Sequence, residues 1–146
     1  KNQTPQAYII LILASGLYIL NIKNQNGKIV AKKRGDFKYF SKVSQKEEKL
    51  VLLKNPLDEI KFFEKKLRNK FPGIDCPITN IVIFPEHCQL LWDGEIDDKI
   101  PILKRKQLFG VIKQYVEKSP VVLTEGQIDS IFHTLVDDAI EMEKAG

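Results

Sequence analysis

The apolar residues at the start of the chain form short unbroken runs rather than the three-and-four spacing of an amphipathic helix. Residues 8–13 and 17–22 are rich in Ile, Leu and Tyr, and Ser15-Gly16 separates the two runs. Runs of this length and composition predict two buried, adjacent strands joined by a tight turn. A membrane span needs about 20 apolar residues without such a break, so buried strands are the better interpretation.

Asn26-Gly27 is a strong turn signal. Because Asn-Gly is typical of two-residue β-hairpins, we expect a hairpin that leads from the second strand into a third strand at about residues 28–32. The pattern that follows predicts short strands at residues 37–40, 50–53, 78–84, 89–92 and 100–103, with a polar loop at residues 45–49.

Helical spacing is first found after Asn55-Pro56, a pair that suits the N-cap and the first helical position. Apolar Ile60, Phe63 and Leu67 then recur at spacings of three and four, which predicts an amphipathic helix to about Lys70. Two further helices are predicted at residues 106–117 and 125–144. The order of strands, helix, strands and helices indicates an α/β domain of the α+β-like kind.

Composition and charge add a possible ligand class to this picture. A chain of 146 residues that is 43% hydrophobic suits a single domain over residues 1–146. Residues 1–54 carry 11 basic and 3 acidic residues, whereas residues 55–146 carry 12 and 16. Because a basic region attracts phosphate, we expect Lys28, Lys32 and Arg34 to form a nucleic-acid-binding face. The alternative is an ordinary solvated lysine surface.

The cysteines and histidines predict neither a zinc site nor thiol chemistry. Cys76 and Cys88 lack the close spacing of a zinc or redox motif, and we expect both to be small core residues. Reduced thiols without an evident export signal fit a cytoplasmic location. His87 is expected in an exposed loop and His133 on the last helix, and neither has a second ligand at zinc spacing.

Two polar residues close the second apolar run. Residues at positions i and i+2 of a strand share a face, so Asn21 and Lys23 should point the same way. An amide and an ammonium at the end of a buried strand depart from the apolar pattern around them. This pair is therefore the first candidate site.

The motifs in this order resemble those of the NERD, or nuclease-related, domain family of bacterial proteins over nearly the whole chain. The family's strand pair reads Asp-His, an apolar run, Gly, an apolar run, Glu-x-Lys-Asn and a Gly turn. The similar residues here are Tyr8-Ile9, Gly16, Asn21-Ile22-Lys23-Asn24 and Gly27. Further similarities to family segments are Gly35-Asp36-Phe37, the helix start Asn55-Pro56-Leu57-Asp58-Glu59, and the apolar strand Ile81-Val82-Ile83-Phe84.

The resemblance implies a restriction-endonuclease-like, or PD-(D/E)xK, fold with a mixed central sheet flanked by helices. It also implies hydrolysis of DNA or RNA phosphodiesters with Mg²⁺ or Mn²⁺, in which carboxylates hold the metal and a lysine lies beside the attacking water. The helix that precedes these strands in the family is expected to be absent from residues 1–146.

At the motif positions, the chain departs from the family. Tyr8 stands for the family's Asp and Asn21 for its Glu, whereas Lys23 keeps the Lys. A neutral amide and a phenol with an ordinary pKa of about 10 are poor ligands for Mg²⁺, so we do not expect tight metal binding. Glu59, at the family's Gln, is the acid that a helix docked on the sheet could bring to Lys23. It is the candidate metal ligand, unless it only stabilises the helix N-terminus.

Three functions are open on this basis. The first is a catalytically impaired nuclease domain with a nucleic-acid-binding role in DNA processing. The second is an active metal-dependent nuclease whose site includes Lys23, Asn21 and Glu59. The third is a protein-interaction module that has kept the fold for its surface. We expect DNA or RNA as the partner and no membrane contact within residues 1–146.

Overall fold

The computed structural model describes residues 7–42 and 44–145, which form two four-stranded sheets and three α-helices. This is an α+β architecture, which confirms the predicted fold class and is compatible with a restriction-endonuclease-like core. The elements in chain order are β1 Ala7–Leu13, β2 Gly16–Ile22, β3 Lys28–Ala31, β4 Phe37–Lys42, β5 Glu48–Leu53, α1 Pro56–Lys70, β6 Ile78–Phe84, β7 Gln89–Trp92, β8 Ile102–Lys104, α2 Leu108–Lys118 and α3 Glu125–Ala145.

The first sheet has the strand order β1-β2-β6-β8, with β1 antiparallel to β2 and the other pairs parallel. The predicted pair of strands with a tight turn is confirmed, and β2 is an inner strand buried over most of its length. Gly16 begins β2 at φ 134° beside the Pro77 carbonyl, which a Cβ at this position would overlap. Glycine is needed here because other residues rarely adopt this conformation and because the backbones come too close.

The second sheet has the strand order β5-β4-β3-β7, so the predicted hairpin between β2 and β3 is wrong. β3 pairs antiparallel with β4 and parallel with β7 instead. A type I′ turn requires positive φ at both central residues, and no non-glycine residue in the described ranges has it. Gly27 serves a close approach, because a Cβ there would overlap the Phe40 carbonyl oxygen.

Two apolar clusters lie on opposite faces of the first sheet, as strand alternation requires. Leu17 and Ile19 of β2 belong to the larger cluster, with the second sheet and α1. Leu20 belongs to the smaller cluster, which α2 covers.

Two element boundaries differ from the prediction. The predicted loop at residues 45–49 is shorter than expected, because β5 already begins at Glu48. The strand β8 begins two residues later than predicted.

Asn55 fixes the start of α1 against the second sheet. Its Oδ1 accepts a hydrogen bond from the Leu57 amide at 2.9 Å, which confirms the predicted N-cap. Its Nδ2 donates to the carbonyls of Lys32 at 3.1 Å and Gly35 at 3.0 Å in the β3–β4 turn. The buried Asn55 side chain therefore joins the start of α1 to the β3–β4 turn, and this fixes the position of the first helical turn. Among the described residues, no helix combines the length and apolar character needed to cross a bilayer.

Candidate functional site

The candidate site lies where β2 ends beneath the first turn of α1. Asn21 is fully buried and is the cross-strand partner of Tyr8 on β1 and of Val82 on β6. Lys23 follows the last residue of β2, and its N–H donates to the Ile83 carbonyl at 2.8 Å, which continues the line of the strand. The residues at the family's two acid positions and at its lysine position therefore lie side by side.

Glu59 reaches this group from α1. Its Oε1 lies 3.1 Å from the Lys23 Nζ, and the side chains are 21% and 11% exposed, respectively. The structure thus brings Lys23 and Glu59 together as a largely buried ion pair. Glu59 also lies in the first turn of α1, where a negative charge is favoured by the helix dipole. These two roles are compatible because the helix start and the end of β2 meet at this point.

Tyr8 is held between the sheet and α1. Its ring stacks on Phe63 with centroids 4.1 Å apart and planes at 8°. Burial raises the pKa of Tyr8, and the Glu59 carboxylate raises it further. The phenol therefore stays protonated at neutral pH and cannot serve as an anionic ligand. The stack on Phe63 could not be predicted from the sequence, because it joins residues from a strand and a distant helix.

Asn21 carries an amide into this interior without a hydrogen-bond partner among the described residues. Both its Oδ1 and its Nδ2 are buried and unpartnered. Leaving a buried polar group unsatisfied costs roughly 1–3 kcal/mol. An apolar residue at this position would avoid that cost.

The donor set at this site fits a divalent metal poorly. Mg²⁺ requires hard, preferably anionic oxygen ligands in octahedral geometry. Tyr8 is neutral, Asn21 offers one neutral oxygen, and the Glu59 carboxylate is engaged by the Lys23 ammonium. Over the described ranges, no three His, Cys, Asp or Glu side chains are grouped closely enough to hold a metal ion.

A cleft of about 640 Å³ opens beside Tyr8 and Glu59. Phe62 lies on its wall, is 63% exposed, and has the Lys66 ammonium 5.5 Å above its ring. The cleft is mixed in charge, because Asp36, Asp58, Glu59, Lys54 and Lys66 all line it.

The three basic residues predicted to share a face lie in two separate places. β3 ends at Ala31, so strand alternation does not extend to Lys32 and Arg34. These two line a cavity in the β3–β4 turn together with acidic Asp93 and Glu95. In the same turn, the Lys33 ammonium lies 3.6 Å from the Glu95 carboxylate.

Lys28 lies on β3, with its ammonium 5.0 Å from the centre of the Phe40 ring. It lines a second cavity, which we call the Lys28 cavity. Lys42 and His87 line it as well, a grouping that sequence reasoning missed because the three residues come from distant segments. The full lining is Asn26, Gly27, Lys28, Tyr39, Phe40, Lys42, Glu48, His87 and Gln89.

The other residues considered in the sequence take structural positions. Cys76 and Cys88 are buried and free, as predicted, and burial raises the pKa of both thiols. His133 is exposed on α3, where its ring packs edge-on against Phe132.

Comparison with known proteins supplies a family for this geometry. A family model described as the nuclease-related domain, NERD, matches residues 1–85. The match covers more than half of the chain and contains Tyr8, Asn21, Lys23 and Glu59. No curated protein and no solved structure matches the chain significantly.

Proposed function

This chain belongs to the nuclease-related domain family, and from that premise we propose that it is a catalytically impaired nuclease domain that binds nucleic acid. The observation that carries the proposal is the 3.1 Å ion pair between Lys23 and Glu59, set beside a protonated Tyr8 and a neutral Asn21. In this arrangement, the Glu59 carboxylate is paired with the Lys23 ammonium rather than directed at a metal ion.

The impairment follows from the charge of the side chains. A metal-dependent phosphodiesterase needs anionic ligands, because the ion must be held firmly while it lowers the pKa of a bound water. Tyr8 and Asn21 supply no negative charge at neutral pH. The positive charge of Lys23 is compensated by Glu59, so the group as a whole has no net negative charge with which to capture a cation.

Nucleic-acid binding is supported by the distribution of charge. The 11 basic and 3 acidic residues among the first 54 give this part of the chain a net positive charge. When a phosphate backbone binds such a surface, the counterions condensed on the nucleic acid are released into solution, which gives affinity without sequence recognition. Lys28, Lys32 and Arg34 remain the proposed contacts, although they lie in two patches rather than one.

A second candidate is an active metal-dependent nuclease that uses Glu59 and Lys23. The observation in its favour is that α1 brings a carboxylate to the family's lysine, as a rearranged site would require. In this case Glu59 would have to turn from Lys23 to the metal. Mg²⁺ or Mn²⁺ would be the cofactor, and the reaction would be phosphodiester hydrolysis.

A third candidate is a protein-interaction module. It is favoured by apolar side chains on the outward face of the second sheet, where Leu50, Leu52 and Leu91 are 50%, 61% and 40% exposed. Exposed apolar side chains grouped on one face are typical of a protein-interaction surface.

One experiment separates the three candidates. The protein is incubated with plasmid DNA, single-stranded DNA and RNA in Mn²⁺, with EDTA and Lys23→Ala as controls, and binding is measured in parallel over a salt series. We expect no metal-dependent cleavage and binding that weakens steeply with salt. Cleavage that is lost with EDTA, with Lys23→Ala and with Glu59→Gln would establish the active nuclease instead. Absence of both cleavage and low-salt binding would leave the interaction module.

A further inference from the structure

The Lys28 cavity lies at the end of the second sheet where β3 and β7 begin, and has a volume of about 440 Å³. Lys28, the first residue of β3, is paired with Phe40 on β4. β4 continues for two residues beyond Phe40 and stays paired with β5 there, so both strands extend past the start of β3. The chain between β2 and β3 and the loop before β7 close the remaining sides. The cavity is therefore built from four separate segments of the chain.

Strand register directs basic and polar side chains into this cavity. Lys28 is level with Phe40 on β4 and with Gln89 on β7. Lys42 is two residues beyond Phe40, and so it shares the outward face of the sheet with Lys28. The Lys28 ammonium lies 5.0 Å from the centre of the Phe40 ring, and both residues line the cavity. His87, Gln89 and Asn26 add imidazole and amide donors.

The charge of these lysines is not neutralised by contact with a carboxylate. Ion pairs within the described part of the chain join other residues, and neither Lys28 nor Lys42 takes part in one. Glu48 also lines the cavity and lowers its positive potential without an ion pair to Lys42. In the β3–β4 turn, by contrast, Lys33 is already paired with Glu95.

Chain connectivity limits the distance between the cavity and the site around Lys23. Lys23 and Lys28 are five positions apart in the chain, which limits their backbone separation to about 18 Å. The Lys23 backbone N–H also donates a hydrogen bond to the Ile83 carbonyl near the end of β6. The loop that carries His87 starts directly after β6. A nucleic-acid strand of a few nucleotides is long enough to contact both places.

We propose that the Lys28 cavity is a phosphate-binding subsite, in which Lys28, Lys42 and His87 hold a backbone phosphate of a nucleic acid. The proposal rests on the nucleic-acid-binding function proposed above and gives it a specific contact point outside the Lys23 site. A phosphate suits the cavity because its oxygens can accept bonds from two ammonium groups and an imidazole at once.

The test is fluorescence polarisation of a labelled single-stranded oligonucleotide over a salt series. Lys28→Gln and Lys42→Gln are compared with Lys38→Gln, which is a matched control. Lys38 is exposed on β4, shares the outward face and has the same charge, but it does not line the cavity. Glu48→Gln is the variant of opposite sign. Melting temperatures of all variants confirm that they are folded.

We expect Lys28→Gln and Lys42→Gln to weaken binding roughly three- to tenfold. Each should also reduce the slope of log K against log salt by about 0.7, the value for one lost phosphate contact on a single strand. Lys38→Gln should change the affinity clearly less, and Glu48→Gln should increase it. Equal losses in Lys38→Gln and the two cavity variants would overturn the subsite while leaving general nucleic-acid binding intact.

A wild-type protein that fails to bind the oligonucleotide at low salt would overturn the proposed function. The cavity is then tested alone, with inorganic phosphate as the probe and chloride at matched ionic strength as the control. A phosphate-specific rise in melting temperature that Lys42→Gln abolishes and Lys38→Gln keeps would support the phosphate site by itself. Absence of that rise would overturn the subsite as well.

Discussion

The Lys23 ammonium and the Glu59 carboxylate lie 3.1 Å apart although the residues are 36 positions apart in the chain. The pair joins the end of a buried strand to the first turn of a helix, and both side chains are largely buried. A charge removed from water in this way depends on its partner, because the cost of burial is offset only by the nearby opposite charge.

Glu59→Gln should therefore lower the free energy of unfolding by about 1–3 kcal/mol, less than for a fully buried pair. Urea denaturation at neutral pH measures the change. Lys23→Met combined with Glu59→Gln should cost less than the sum of the single variants, because neither charge is then left without the other. Strict additivity in this double-mutant cycle would mean that the ion pair contributes nothing in solution.

Asn21→Leu should raise the free energy of unfolding by about 1–2 kcal/mol, since it removes a buried amide without a partner among the described residues. Leu keeps the branching of Asn at Cγ but is larger, so the surrounding core must repack slightly, which offsets part of the gain. Thermal unfolding is the measurement, and Asn21→Gln is the control that keeps an amide. A fall in stability on Asn21→Leu would contradict the expectation and indicate that the amide is satisfied in solution.

Tyr8 should make the protein less stable at alkaline pH. Burial, and then the Glu59 carboxylate, raise the pKa of its phenol above the ordinary value of 10.0. The folded state therefore holds the proton more tightly than the unfolded state. The stability that this provides is fully present below about pH 10 and is lost as the pH rises through the folded pKa.

The measurement is urea unfolding of wild type and Tyr8→Phe at a series of pH values above neutral. The wild type should lose stability more steeply above about pH 10 than Tyr8→Phe does. Glu59→Gln should bring the pKa of Tyr8 closer to its ordinary value, as followed by phenolate absorbance. Identical pH slopes for wild type and Tyr8→Phe would exclude a raised pKa.

Local signals predicted the helix and strand boundaries well. Asn55-Pro56 marks the start of α1 because N-capping involves residues close in sequence. Residues 78–84 form β6 as predicted because an apolar run of that length suits a buried parallel strand. Strand periodicity alone also predicts that Asn21 and Lys23 share a face, but it does not predict which helix covers them.

The features that could not be predicted depend on pairing between strands that are distant in the sequence. Asn26-Gly27 is a good local hairpin signal, but β3 pairs with β7, and Gly27 is needed for its contact with the Phe40 carbonyl. The Lys28 cavity depends on that pairing, so its members could not be grouped from their sequence positions. Strand alternation continued past Ala31 predicts Lys32 and Arg34 on the face of Lys28, because no residue in the sequence marks the end of β3.

Restoring the two family carboxylates should restore metal binding. Tyr8→Asp with Asn21→Glu would place two acids on adjacent strands beside Glu59, which is the anionic oxygen set that Mg²⁺ or Mn²⁺ requires. At ten times its Kd, a bound ion stabilises the folded state by about 1.4 kcal/mol, which for a domain of this size is roughly 4 °C in melting temperature.

Thermal unfolding with Mn²⁺ or with EDTA is the measurement, and Tyr8→Asn with Asn21→Gln is the neutral control. The restored variant should show a Mn²⁺-dependent rise, whereas the wild type and the neutral control should not, because they lack the added negative charge. A rise of the same size in the wild type would mean that Glu59 already holds a metal with its present neighbours. That result would contradict the impaired site and favour the active nuclease.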